Sequence, residues 1–354
     1  MTTLMMLPDD LVLNCIARVS RSYYPILSLV CKRFRSLLVS TELYQTRTLL
    51  GCTEPCLYVC LKLPTYYSRQ HWFTLCRRPT NNGCKKFLLP ITCPNSPCTY
   101  QSDFARVGSK IYAIGGRLIS SREATSSVMV MDCRSHTWSD APSMLVARAA
   151  PSACVLDGKI YVTGGCENLD ATNWMEAFDT KTQNWEFVSS SSTPEEKLGS
   201  GYCYQSLGFD GNVYVKLYHG RESYKMNKGR WRAADLGMAR EWISSSSFCV
   251  IDNVLYGSTS GKIKWYDSRI KLWETVKGDL ENLSRFPGDV TQLANYGGKL
   301  AVLWNRDKDH KSISCAVIAL EKRQGGTIWG TIEWLDDVST SEPYKVAHLV
   351  AATL

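Results

Sequence analysis

Ile111-Tyr112-Ala113-Ile114-Gly115-Gly116 decides the fold, because it comes back. It returns as Ile160-Tyr161-Val162-Thr163-Gly164-Gly165. In worn form it returns as Val213-Tyr214-Val215-Lys216, Leu255-Tyr256-Gly257 and Leu300-Ala301-Val302. Tyr112, Tyr161, Tyr214 and Tyr256 stand 49, 53 and 42 residues apart. A second landmark keeps the same phase. Asp132, Asp179 and Asp267 each precede a tryptophan by six residues (Trp138, Trp185 and Trp273), and Lys225 stands six before Trp231. A large apolar or aromatic residue precedes each of these positions: Met131, Phe178, Tyr224 and Tyr266. Two landmarks in register over four copies, at this period and with short strands, point to the blades of a β-propeller. One blade cannot bury both of its faces. Neighbours stacked around an axis can, and closure of the ring limits exposed edges.

Each landmark has a physical role. A glycine pair lets the backbone bend or pack closely at a strand end. The Asp suits a turn, where its carboxylate accepts from nearby backbone N–H groups. The Trp supplies a broad apolar face for packing between blades. Four blades centre on Trp138, Trp185, Trp231 and Trp273. Leu57 to Leu61 and His71 to Leu75 read as strands of an earlier blade. Leu300 to Asn305, Ile313 to Leu320 and Thr331 to Leu335 read as a later one. Six blades is the expected count, five the alternative, with closure mixing strands from both ends.

The first 50 residues have a different texture. Leu7-Pro8-Asp9-Asp10 is a helix start, with Pro in the first turn and carboxylates at the positive end of the dipole. Leu11, Val12, Cys15, Ile16 and Val19 follow at helical spacing. Pro25 opens a second stripe of Ile26, Leu27, Val30, Phe34, Leu37 and Leu38, and Thr41 to Leu50 is a weaker third helix. Helices this short do not make an independent core, so apolar surface is left for a partner or for the rest of the chain.

Leu7-Pro8-Asp9-Asp10-Leu11, read together with Val30-Cys31-Lys32-Arg33-Phe34-Arg35-Ser36-Leu37, resembles an F-box. The repeats, with Gly115-Gly116, Gly164-Gly165 and the Asp-to-Trp spacing, resemble kelch repeats. The combination is similar to the plant F-box/kelch-repeat family. The resemblance implies a mainly β fold, a kelch-type β-propeller of about six blades over residues 51–354, preceded by a small all-α F-box module over residues 1–50. It implies that the F-box binds a Skp-type adaptor, and through it a cullin scaffold and a ubiquitin-conjugating enzyme, while the propeller recruits a target protein. Carried over by position, Leu7, Pro8, Leu11, Ile16, Val30 and Cys31 are the expected adaptor contacts. Arg148, Arg240 and Arg221, just after or between strands, are candidates for target recognition, since propeller loops carry binding residues.

Composition narrows the alternatives. Hydrophobic residues make up 44%, which excludes a disordered or collagen-like chain. The charge of +8 is spread without a basic run or an aromatic-and-basic motif, so no nucleic-acid partner is expected. Residues 1–10 carry no positive n-region and no apolar h-region, and no apolar run approaches the ~18 residues of a span, so neither a signal peptide nor a membrane is expected. The 15 Cys are odd in number and scattered, which fits reduced thiols in the cytosol or nucleus.

No catalytic, cofactor or metal site is expected. Cys52, Cys56 and Cys60, and Cys93 with Cys98, lack the tight pairs of a zinc site. The five His are isolated, and Gly257-Ser258-Thr259-Ser260-Gly261 misplaces the serine of a nucleophile elbow. Three functions compete. They are a substrate receptor of a cullin ubiquitin ligase, a non-catalytic kelch scaffold outside ubiquitin ligation, and a propeller enzyme with ionisable groups at its axis.

Overall fold

A strand flanked by sheets on both sides sorts its side chains by parity, because successive residues point to opposite faces. Pro55–Lys62 does this in the computed structural model. Leu57, Val59 and Leu61 enter one apolar cluster and Tyr58 and Cys60 the other. The structure describes residues 7–65, 67–80, 83–166, 173–188, 203–217, 223–227, 230–234, 237–238, 247–259, 261–280, 283, 291–307 and 309–354.

Among the described residues, helices α1 (Asp9–Ala17), α2 (Tyr24–Leu27), α3 (Lys32–Leu38) and α4 (Thr41–Leu49) come first. Six blades follow, five sheets of four strands and one of five. Blade 1 is made by Pro55–Lys62, Gln70–Thr80 and Gly83–Pro90, joined by Lys345–Thr353 from the far end of the chain. Blades 2 to 5 cover residues 103–141, 152–187, 203–233 and 248–275 in consecutive order. Blade 6 covers 292–337 and takes Lys277–Asp279 as a fifth, parallel strand.

Closure is the antiparallel pairing of Pro55–Lys62 with Lys345–Thr353, with Tyr58 opposite Val350. Glu54 and Leu354 extend it by exchanging backbone hydrogen bonds at 2.7 and 3.0 Å. Elsewhere a tight turn joins the first two strands of a blade. Asp157-Gly158, Asp210-Gly211, Asp252-Asn253 and Gly297-Gly298 have positive φ at both positions, the type I′ geometry that matches strand twist.

Six apolar clusters fill the six seams between neighbouring blades. Each landmark tryptophan sits at the seam toward the preceding blade. Trp138 lies 6.2 Å from Trp72 of blade 1, and Trp231 packs edge-on to Trp174 of blade 3 at 5.5 Å. The indole N–H groups of Trp185 and Trp273 donate to the carbonyls of Pro142 and Met238, where the preceding blade exits. The landmark aspartates close turns. Asp132, Asp179 and Asp267 accept from the backbone N–H of Arg134, Lys181 and Arg269, each at 2.9 Å.

The glycine pairs mark where the chain crosses from blade 2 to blade 3. Gly116 (φ 95°) donates to the Arg148 carbonyl, and the Gly165 carbonyl (φ 74°) accepts from Ala149. A Cβ on Gly116 would meet the Tyr100 carbonyl at 2.6 Å, and one on Gly165 would run into the Ala149 carbonyl. Gly115 and Gly164 share the left-handed backbone. Between the pairs Arg148 is fully buried. Its guanidinium pairs with the buried Glu176 at 2.8 Å and donates to the carbonyls of Gly164, Trp174 and Asn173. The same carboxylate accepts from the backbone N–H of Leu145 and Val146.

This corrects the expectation that Arg148 meets a target. With no exposed surface, it fastens two blades together. Arg240 and Arg221 lie outside the described residues. Removal of one partner from a buried, hydrogen-bonded pair leaves the other charge uncompensated. Arg148→Ala is therefore expected to lower the unfolding free energy by about 3–5 kcal/mol in urea titrations, with Glu176→Gln shifting the midpoint the same way.

Candidate functional site

The chain direction alternates along each blade, so the ring has two unlike faces. Turns between first and second strands, and between third and fourth, emerge on one face. The connections between second and third strands, and those between blades, emerge on the other. The four helices dock on the turn face. Arg21 donates to the Cys133 carbonyl at 3.2 Å, and the Tyr44 hydroxyl reaches the Arg134 carbonyl at 3.3 Å, both in the last turn of blade 2.

The helices share their core with the seam between blades 1 and 2. Val12, Leu13, Ile16, Phe34, Leu38 and Leu43 belong to one cluster with Tyr58, Trp72, Phe104, Met131 and Trp138. Local chemistry sets the helix ends. Ser40 caps α4 by accepting from Leu43, and the Cys31 thiol takes the corresponding place on α3. Arg47 of α4 is buried and donates to Ala17 and Val19 at 3.0 and 2.9 Å and to the Tyr24 hydroxyl at 2.8 Å. It thereby satisfies carbonyls that the end of α1 leaves without intrahelical partners. Its other nitrogen lies 3.4 Å from Glu54, at the threshold of blade 1.

The module also leaves several large apolar side chains open to solvent. Leu11 is 48% exposed, Ile26 65%, Leu29 77% and Val30 59%. Arg33 draws the two carriers together, donating to the Asp9 carboxylate at 2.7 Å and to the Leu7 carbonyl at 2.6 Å. Residues 7–11 and 30–33 therefore form one end of the module. Of the six residues carried over by resemblance, Pro8, Leu11 and Val30 are exposed, and Leu7 and Cys31 are half-buried against the core. Ile16 is not available to a partner. At 3% exposure it lies in the core, because α1 turns Val12, Leu13, Ile16 and Ala17 inward.

Ile26 and Leu29 are exposed apolar residues that sequence reasoning did not single out. The second apolar stripe runs from Ile26 to Leu38 on paper. The backbone breaks between α2 and α3, with Cys31 extended at φ −164°, and this turns Ile26 and Leu29 to water. The Leu29-Val30 pair, apolar on both residues just before the cap, was the available signal.

Two family comparisons fall on these two parts. The F-box domain matches residues 4–46. The FKB95, Kelch-repeats domain matches residues 72–339, most of the ring. The chain belongs to the F-box/kelch-repeat proteins. An F-box/kelch-repeat protein of Arabidopsis thaliana is 50% identical over 95% of this chain and 92% of its own length. Two others from the same plant are 43% and 44% identical, over 98% and 100% of this chain and 93% and 91% of their own. In this F-box/kelch-repeat protein the two strands that close the ring, Pro55–Lys62 and Lys345–Thr353, lie outside the kelch match.

His136 sits where module and ring meet. The Tyr58 hydroxyl donates to Cys133 at 2.7 Å, and His136 Nε2 approaches that hydroxyl at 3.2 Å. Burial, and then the charge of Arg21, push the imidazole down from 6.5 to about 4, with Asp132 opposing. The unfolded chain therefore takes up this proton first. Stability contributed by neutral His136 is present above pH 6.5 and is lost as pH falls toward about 4. Melting temperatures measured across that window are expected to fall with pH, and His136→Gln is expected to flatten the slope.

Proposed function

We propose that this chain is the substrate-recognition subunit of an SCF-type cullin ubiquitin ligase, working in the cytosol or nucleus. One observation carries the reading. The F-box module shares its core with the ring and leaves Leu11, Ile26, Leu29 and Val30 exposed to solvent. Side chains of this size clustered on one small module make a docking surface for a partner. A Skp-type adaptor is the partner that the F-box family supplies, and a cullin scaffold follows through it.

The mechanism is proximity. The adaptor holds the module, the module is packed rigidly on the ring, and a target bound by the ring is kept beside an activated ubiquitin at high effective concentration. No side chain of this chain takes part in bond making, so the protein works without a cofactor or a catalytic residue.

Co-purification with a Skp-type adaptor tests the reading. Leu11→Asp and Val30→Asp place charges on the exposed surface and are each expected to weaken adaptor binding about tenfold or more while leaving the melting temperature nearly unchanged. A wild-type protein that retains no adaptor contradicts the proposal.

A further inference from the structure

Docking leaves a gap between the helices and the ring. It is a cavity of about 750 Å³, within the roughly 300–1,000 Å³ of small-molecule sites, and it lies at a junction between two parts of a chain, where such sites concentrate. One wall comes from the module, with Arg21 just before α2 and Arg35 and Val39 at α3. The other comes from the turn face, with Leu75 and Arg77 of blade 1 and Tyr296 of blade 6.

The charges around it do not balance. Five cations line the cavity, Arg21, Arg35, Arg77, Arg134 and Lys299, against two carboxylates, Glu54 and Glu333. Both carboxylates and two of the cations are engaged. Arg134 pairs with Asp132 at 2.6 Å, Lys299 with Glu333 at 2.5 Å, and Glu54 lies 3.4 Å from Arg47. Arg21, Arg35 and Arg77 are left without a carboxylate partner among the described residues.

Their contacts are with uncharged groups. Arg21 meets the Cys56 thiol at 3.8 Å and the Cys133 carbonyl at 3.2 Å, and burial raises the thiol, so neither carries charge at neutral pH. Arg35 donates to the Ser28 carbonyl at 3.4 Å, and Arg77 stands beside the Tyr296 phenol, which burial also raises. Arg35 and Arg77 are exposed. A guanidinium fork matches the oxygens of a phosphate, and a phosphate monoester brings a charge of about −1.5 to −2 at pH 7. The cavity is far larger than a bare phosphate, and Val39, Leu75 and Tyr296 give it an apolar wall.

We propose that this cavity binds a phosphorylated small molecule, its phosphate on Arg21, Arg35 and Arg77 and its organic part against Val39, Leu75 and Tyr296. The ligand touches module and ring together and fastens one to the other. The site stands independently of the ligase role.

Isothermal titration calorimetry on the full-length protein tests it, with phenyl phosphate as the probe and benzoate and phenol as comparisons. Phenyl phosphate is expected to saturate one site per chain and to raise the melting temperature, because it binds the folded state. Benzoate, with a single charge, is expected to bind at least about fivefold more weakly, and phenol not measurably. Arg35→Gln and Arg77→Gln are each expected to weaken phenyl phosphate about fivefold or more, with the melting temperature of the free protein retained. Arg122→Gln removes the same charge from the exposed loop between second and third strands of blade 2, on the opposite face, and is expected to leave binding unchanged. His136 lines the same cavity and feels the charge of Arg21. Its NMR signal, identified by its loss in His136→Gln, is expected to titrate at higher pH with the probe bound, because the phosphate offsets that charge. Absence of saturation, equal affinity for benzoate, undiminished binding by Arg35→Gln and Arg77→Gln, an equal loss in Arg122→Gln, or an unmoved His136 each overturns the proposal.

Discussion

Each sheet of the ring has two apolar faces, and water cannot be left against either. Every other feature follows from this constraint. A four-stranded sheet is too small to be stable alone, so each blade borrows its neighbours, and the last must reach the first. The reach is made by Lys345–Thr353, which lies against Pro55–Lys62 and presents Val346, Leu349 and Ala351 to the seam with blade 6. The aromatic landmarks serve the same end. Phe178 from blade 3 meets Tyr112 of blade 2 at 5.9 Å, and Trp185 packs on Phe178 at 4.9 Å.

The seam between blades 1 and 2 differs from the other five because the helices are built into it. Their apolar residues continue the cluster that Trp72, Met131 and Trp138 begin. The two parts of the chain therefore share one core, and the join is stitched by Arg21, which donates to the Cys133 carbonyl, and by the buried Arg47, which lies 3.4 Å from Glu54. Under the proposed proximity mechanism this matters. A module on a loose tether samples many orientations, whereas one packed into the ring holds its partner at a set distance from the opposite face.

The ring was legible in the chain because its constraint is periodic. The tyrosine before each glycine pair and the Asp-to-Trp interval repeat with the blades, so Trp138, Trp185, Trp231 and Trp273 can be placed without coordinates. The Asp157-Gly158 and Asp210-Gly211 turns belong to the same signal and went unread. Contacts between distant segments are not periodic. Arg148 looks like a loop residue in sequence, and its partner Glu176 stands 28 positions on, inside a strand. Ile16 and Leu11 share one helical stripe on paper, and only the docking direction of α1 decides that one is buried and the other open. The cavity at Arg21, Arg35 and Arg77 has no sequence signature, because separate segments build it.

Amide hydrogen exchange followed by mass spectrometry tests the shared core most directly. Peptides covering α1 and α4 are expected to show the protection of Pro55–Lys62 and Lys345–Thr353, because all four elements open together. Helices that exchange far ahead of those strands would show a module merely tethered to the ring, and the account of a single core would fail.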